Sequence, residues 1–226
     1  MNFERRDTKE YSFRNPNLSG LRKLVSMVSS HKDFRVRYGR LLGILKTKVE
    51  DGIIDTLVQF YDPLYHCFTF PDSQLAPTLE EYSYLVGLSV SDKVPFSGLE
   101  EIPKPPVIAE ALHLETSIVK SNLTSKGGIL DLTYRFLMEK ALALAKENNG
   151  DDFEVIFALR IYGLMLFPNI NNFVDVNAIQ IFLIGNPAPT LLGDTYHYIH
   201  HRTSKGGETI TCCAPMLYKW FNTHLP

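Results

Sequence analysis

Cysteine is scarce in this chain: the 226 residues hold three, Cys67 and the adjacent pair Cys212 and Cys213. Three thiols cannot build a disulfide framework, so the composition points to a reducing, intracellular compartment. Long apolar runs are missing too. A membrane helix needs about 20 successive apolar residues, and the best candidate, "FEVIFALRIYGLMLF" (Phe153 to Phe167), is short and carries Arg160 near its middle. No membrane partner is therefore expected. The start, "MNFERRDTKEYSF", is charged and has no apolar h-region, which excludes a secretory signal. Phosphate-loop, dinucleotide, nucleophile-elbow and zincin signatures are all lacking: there is no G-x-x-x-x-G-K-[ST], G-x-G-x-x-G, G-x-S-x-G, C-x2-C or H-E-x-x-H. No cofactor and no small-molecule substrate is implied.

What remains is an ordinary globular composition, 45% hydrophobic and 21% charged, with a chain long enough to bury a substantial core. Its net charge of -2 conceals an asymmetry. Residues 1–50 carry 12 Lys+Arg against 5 Asp+Glu, a net of +7, and the rest carries a net of -9. Such a basic front either docks onto the acidic body or touches nucleic acid.

Periodicity predicts a mainly α fold: a single irregular multi-helix domain of eight to ten helices, with at most a minor short β element near 64–70. Residues 1–16 read as a loosely ordered segment, and 17–226 as the helical domain. Leu21, Leu24, Val25 and Val28 start the helical spacing. A second helix over Phe34 to Val49 turns Leu41, Leu42, Ile44 and Leu45 inward and Arg35, Arg37, Arg40, Lys46 and Lys48 outward. "DGIIDTLVQFYDP" gives a third, and "LYHCFTFP" suits one short strand. The stretch 91–108 holds Pro95, Pro103, Pro105 and Pro106. It either joins two lobes or is a surface excursion of one domain, with Pro105-Pro106 extended. After a short helix over Ala109 to Lys120, "ILDLTYRFLMEKALALAKENNG" sets Leu130, Tyr134, Leu137 and Met138 on one helical stripe. Asp152 to Phe167 is apolar nearly all round and so belongs in the middle of a bundle. Helices over Asp175–Ile184, Leu191–Arg202 and Ala214–His224 complete the series. "TSKGG" occurs at 124–128 and again at 203–207; the flanks differ, so it reads as chance reuse of a loop.

Candidate chemistry is thin. "HYIHH" sets His197, His200 and His201 near one helical face, with Cys212 and Cys213 following. Imidazole and thiolate are zinc's preferred ligands, yet adjacent cysteines fit one tetrahedral ion poorly, and surface histidines beside part-buried thiols explain the pattern better. Asp131, Asp175 and Asp194 stand near expected helix starts, where capping accounts for them without catalysis. Arg160, inside an apolar helix, requires a partner, because an unpaired buried charge costs several kcal/mol. A structural ion pair is the expectation, a ligand-binding arginine the alternative.

The most definite local reading is "APTLEEYSYLVGLSV" (Ala76 to Val90): Thr78 caps a helix, Glu81 completes the T-x-x-E box, and Gly87 permits a left-handed stop. Local physics explains the segment fully. Together with its preceding "FTFPDSQL", it also resembles the most characteristic stretch of the plant mobile domain, an aromatic-rich F-x-x-P followed by TLEDV-x-x-L-x-GLPV. "VPFSG", "LLGDTYHYIHH" and "APMLYKWFNTHLP" are similar to further segments of that family, so the likeness covers roughly residues 36–226. Glu81 follows Glu80 where the family has Glu-Asp, Ser89 replaces a proline, and Thr223 stands where glutamate precedes His224. The chain thus resembles a divergent, legume-type member related to the maintenance-of-meristems proteins. The positions that carry the likeness are Phe70, Pro71, Thr78, Leu79, Glu81, Leu85, Gly87, Leu88, Asp194, Trp220 and His224, all in structural roles.

What the resemblance implies is a transposon-derived nuclear domain acting in protein interaction, in transposon silencing or transposon biology, with protein partners in the nucleus. The end at "HLP" suggests a truncated element-derived protein or an isolated domain. The label "aminotransferase-like" attached to the family finds no support in a β/α alternation or a Schiff-base lysine context. Two alternatives stay open: a nucleic-acid-binding domain with Arg35, Arg37, Arg40, Lys46 and Lys48 on phosphates, and a metal-dependent enzyme centred on His197, His200 and Cys212.

Overall fold

A computed structural model describes residues 11–50, 52–89, 93–126, 128–205 and 209–224. In chain order, α1 (Ser19–Leu24) runs into a 3₁₀ turn (Val25–Met27), and α2 (His31–Tyr38), α3 (Leu41–Leu45) and α4 (Ile53–Gln59) follow. A three-stranded antiparallel sheet comes next, β1 (Tyr61–Asp62), β2 (Cys67–Thr69) and β3 (Gln74–Leu75), and then α5 (Leu79–Val86). Helices α6 (Pro105–Ala111) and α7 (Thr116–Asn122) lead to the hairpin β4 (Leu123–Lys126) and β5 (Ile129–Thr133), then to α8 (Tyr134–Lys146) and α9 (Gly150–Ile161). A π-helical turn (Tyr162–Leu166) continues α9, β6 (Phe173–Asp175) pairs antiparallel with β5, and α10 (Val176–Ile184), α11 (Ala188–Lys205) and α12 (Ala214–Asn222) close the series.

The mainly α expectation is therefore corrected. The described residues form twelve α-helices and two three-stranded antiparallel sheets, a mixed α/β fold that is 57% helical. The physical reasons are local. Gly39, at φ +67° and ψ -147°, cuts the helix expected over 34–49 into α2 and α3, because that backbone region is open essentially to glycine alone. Ile129–Thr133 is a strand, and Thr133 caps α8 by accepting from the Phe136 N–H. Leu130 matches helical spacing to Tyr134 with a single step, too little to exclude extended chain. The strands β1, β3 and β6 have two or three residues each, shorter than any period can reveal. Pro105 and Pro106, expected to be extended, open α6 instead; proline is well placed in a first turn, where its missing N–H has no partner to lose.

Expectation and structure agree at the centre. Every residue of α9 from Phe153 to Ile161 is buried, and α8, α1, α3 and α10 pack around it. Gly163, in the π turn, lets β6 cross closely: a Cβ there would lie 2.5 Å from Val174 Cγ1. At the other side of the core α5 lies between α11 and α12, with Tyr82, Val86, Leu217 and Trp220 buried. Of the segment 1–16, residues 1–10 lie outside the described ones. Phe13 pairs in parallel with Ile210, where the Arg14 N–H donates to the Ile210 carbonyl at 2.8 Å and the Ile210 N–H to that of Ser12 at 2.7 Å.

Candidate functional site

The helix start at Thr78 carries the capping box that its spacing predicts. The Glu81 N–H donates to Thr78 Oγ1 at 3.3 Å, and Glu81 Oε2 accepts from the Thr78 N–H at 2.9 Å. That carboxylate does more. Trp220 Nε1–H donates to Oε2 at 3.1 Å, and Oε1 meets His224 Nε2 at 2.8 Å. Two stretches about 140 residues apart in sequence thus meet on one carboxylate, tying α5 to α12. Burial raises the Glu81 pKa, but the bonds from Thr78, Trp220 and His224 outweigh it and leave the group below its ordinary value. Phe68 of the first sheet and Phe70, just after β2, pack on α12, against Trp220 and Phe221. Among the motif positions, then, Phe70, Thr78, Glu81, Trp220 and His224 form one clamp, while Leu79, Leu85 and Leu88 pack at the core margin.

Gly87, at φ +73°, stops α5 in the left-handed region as expected. It also lets another element approach: a Cβ on Gly87 would sit 2.5 Å from Arg40 Cγ. Reciprocally, a Cβ on Gly39 would meet the Val86 carbonyl oxygen at 2.3 Å, and the Arg40 N–H donates to that oxygen at 2.6 Å. The α2–α3 turn and the end of α5 are docked glycine to glycine.

This docking sorts the five cations proposed to meet phosphates. Arg37 is engaged: it bonds Asp151 at 2.8 Å and also the buried Glu154, whose carboxyl burial pushes up and Arg37 draws down. Lys48 lies apart, beside a pocket of about 530 Å³ near Arg14 and Arg22. The remaining three, Arg35, Arg40 and Lys46, line one pocket of about 350 Å³ together with His31 and Lys219.

The histidine–cysteine grouping does not assemble. His200 stacks on His66 at 4.5 Å between ring centroids, and His197 stacks toward His201 at 6.0 Å. Cys212 and Cys213 are buried; burial pushes the Cys212 thiol well up and that of Cys213 to about 12, so neither is a thiolate near neutrality. Among the described residues no group of three or more His, Cys, Asp or Glu side chains is arranged to hold a metal. The three aspartates take different places in the fold. Asp175 caps α10 by accepting from the Ala178 N–H at 2.8 Å. Asp131 stands two residues before the Thr133 cap of α8, as expected, but lies on the central strand β5, opposite Asp175, and is not itself the cap. Asp194 lies inside α11, its carboxyl raised to about 7 by burial and by the Asp175 charge.

Away from the clamp, the exposed apolar residues among the described ones concentrate in one part of the sequence. Of the eleven exposed large hydrophobic residues described, six fall between Val94 and Leu130, with Leu99 91% and Ile102 59% exposed. Two shallow grooves of about 240 and 460 Å³ share Glu101, Ile102, Pro103 and Gln180 and so adjoin as a channel of mixed polar and apolar lining, in which neither Val94 nor Leu99 takes part. Ile129, Leu130, Val107 and Leu183 flank it, and Gln180 Oε1 is buried there without a hydrogen-bond partner.

Sequence comparison adds one decisive observation. Residues 21–226 match the family described as Domain of unknown function (DUF7745). The chain belongs to this family. No curated protein and no solved structure matches it. The family match begins within α1 and takes in the clamp, the cationic pocket and the channel of this DUF7745 member.

Arg160 departs from expectation. Fully buried, it has no carboxylate partner among the described residues: its guanidinium lies 4.5 Å over the Tyr134 ring and donates to Met138 Sδ at 3.1 Å, leaving Nε and Nη2 unpaired. Burial holds its pKa below the ordinary arginine value, with Tyr134 opposing. No helix of the described residues is long and apolar enough to cross a membrane. Sequence reasoning missed Lys219, Tyr84, Leu99 and Ile102. For the split among the cations a signal existed: His31 and Arg35 share one face of α2 at i,i+4, and Asp33 and Arg37 share another. Lys219 reaches the pocket only through the tertiary fold.

Proposed function

We propose that this chain is a non-enzymatic, transposon-derived nuclear domain that works as a protein-interaction module, of plant-mobile-domain descent. The observation that carries the reading is the channel lined by Ile102, Val107, Ile129 and Leu130, together with the exposed Leu99 three residues before Ile102. Leaving Leu99 91% and Ile102 59% exposed forgoes part of the about 1.5–3 kcal/mol that full burial of each side chain contributes, and a concentration of exposed apolar residues is a usual mark of an interaction surface. Around it Glu100, Glu101 and Glu110 face one Lys104 in sequence. The partner that fits is a peptide segment with two or three aliphatic side chains flanked by Lys or Arg. The clamp residues serve this role only by holding the fold.

The test is a selection from a random peptide library displayed against the full chain. Enriched sequences should combine aliphatic with basic residues and lose binding at least tenfold to the Leu99→Glu, Ile102→Asp double variant. Both positions are exposed, so this variant should melt within a few degrees of the parent. Binders indifferent to the double variant, or a lack of any enrichment, would overturn the reading. A fluorescent fusion expressed in plant cells should concentrate in the nucleus; exclusion from it would remove the nuclear assignment.

A further inference from the structure

We infer that the pocket between α2, α3 and α12 is a binding site for single-stranded polynucleotide. Four permanent cations, Arg35, Arg40, Lys46 and Lys219, line it with His31, and none of its described lining residues is acidic. In a chain whose net charge is negative, such a one-signed lining is a specific local arrangement. It arises because α2 sorts its charges by face. Asp33 and Arg37 face the acidic side near Glu154, where Arg37 is neutralised by Asp151 and Glu154. The other face presents His31 and Arg35, i,i+4, to the pocket.

The geometry is held from outside the pocket. Arg40 begins α3 directly after the Gly39 turn, and its N–H is tied to the Val86 carbonyl at 2.6 Å. Its guanidinium then lies over the Tyr84 ring at 4.2 Å. Tyr84 is 66% exposed, so one ring face meets Arg40 and ring surface remains open to solvent. Phosphates neutralised by clustered cations beside an exposed aromatic face are the two elements of single-strand recognition. An unpaired base can stack there; a paired one cannot. Leu42, Ile44 and Leu85 add apolar lining, which suits a sugar or base edge, a contact that inorganic phosphate does not make. This site shares no residue with the channel and does not depend on it.

The experiment is fluorescence anisotropy of a labelled single strand of about 12 nucleotides against the full chain, titrated across salt. With four phosphates neutralised, log affinity should fall against log salt with a slope of about -2.8, so that raising salt from about 50 to 200 mM weakens binding about 50-fold. The Arg35→Glu, Lys46→Glu double variant should lower affinity more than tenfold and flatten the slope to about -1.4. Tyr84→Ala should weaken binding about tenfold with the slope unchanged. Arg135→Glu, which changes an exposed cation on α8, should change neither. Should the double variant unfold, Arg35→Gln and Lys46→Gln singly carry the same test through the slope. Duplex binding as tight as single strand, displacement by inorganic phosphate at matched ionic strength, or indifference to Tyr84→Ala would each overturn the assignment, as would no binding at low salt.

Discussion

Replacing Glu81 by alanine is the sharpest perturbation of this fold. The carboxylate accepts from the Thr78 N–H at 2.9 Å, Thr78 Oγ1 at 3.0 Å and Trp220 Nε1 at 3.1 Å, and meets His224 at 2.8 Å. Losing half of the capping box costs about 1 kcal/mol. Trp220 is fully buried, so its indole N–H is left without a partner, adding about 1–3 kcal/mol. The His224 contact is partly exposed and contributes less. The expected loss is about 3 kcal/mol, or about 6–12 °C in melting temperature for a domain of this size. Thr78→Ala, which removes one hydroxyl, should cost about 1 kcal/mol. Urea denaturation of Glu81→Ala, Trp220→Phe and the double variant should give a coupling energy of about 1 kcal/mol. Because the folded Glu81 pKa lies below its ordinary value, this stability is complete above the unfolded pKa of about 4.3. It is lost as pH falls through the folded value. A loss under about 1 kcal/mol with no coupling would refute the clamp and leave Glu81 spare for chemistry.

Asp194 behaves in the opposite sense. Its folded pKa, about 7, lies above the unfolded value of 3.8, so the folded state holds the extra proton and stability falls as pH rises between the two. Asp194→Asn should flatten that decline, which is at most about 1.4 kcal/mol per pH unit; an unchanged pH profile of the melting temperature would contradict it. Arg160→Met should leave stability unchanged or raise it, because a buried guanidinium without a carboxylate partner among the described residues, two of its nitrogens unbonded, is replaced by a side chain of similar reach. A loss above about 2 kcal/mol in urea denaturation would show that the charge is compensated. Gly39→Ala should destabilise by more than about 2 kcal/mol, since the added Cβ lies 2.3 Å from a backbone oxygen at positive φ; near-parental stability would mean the docked turns are adjustable.

How far the sequence was legible follows from what each signal measures. The capping box and glycine stop of α5 are local, and both are present as read. The all-round burial of α9 follows from hydrophobicity alone. The sheets were illegible because their pairing is non-local: β5 finds β6 about forty residues away, across α8 and α9. The tripeptide Thr-Ser-Lys makes the point within this chain, being strand at 124–126 and helix at 203–205. Tertiary context overrides so short a sequence. The clamp was half legible, since Thr78 and Glu81 declare each other at three residues' spacing while Trp220 and His224 reach them only through the fold. Of the five cations read as one set, only Arg35, Arg40 and Lys46 come together, because the partner that withdraws Arg37 lies on α9 and could not be read from α2.

The most direct test of the interaction reading is amide and methyl NMR of the labelled chain titrated with a library-selected aliphatic–basic peptide. The account predicts shift changes confined to the channel, at Ile102, Val107, Ile129, Leu130 and Leu183, and to the exposed Leu99, with the Glu81 clamp undisturbed. Changes centred on His197, His200 and Cys212, or spread through α5 and α12, would contradict it.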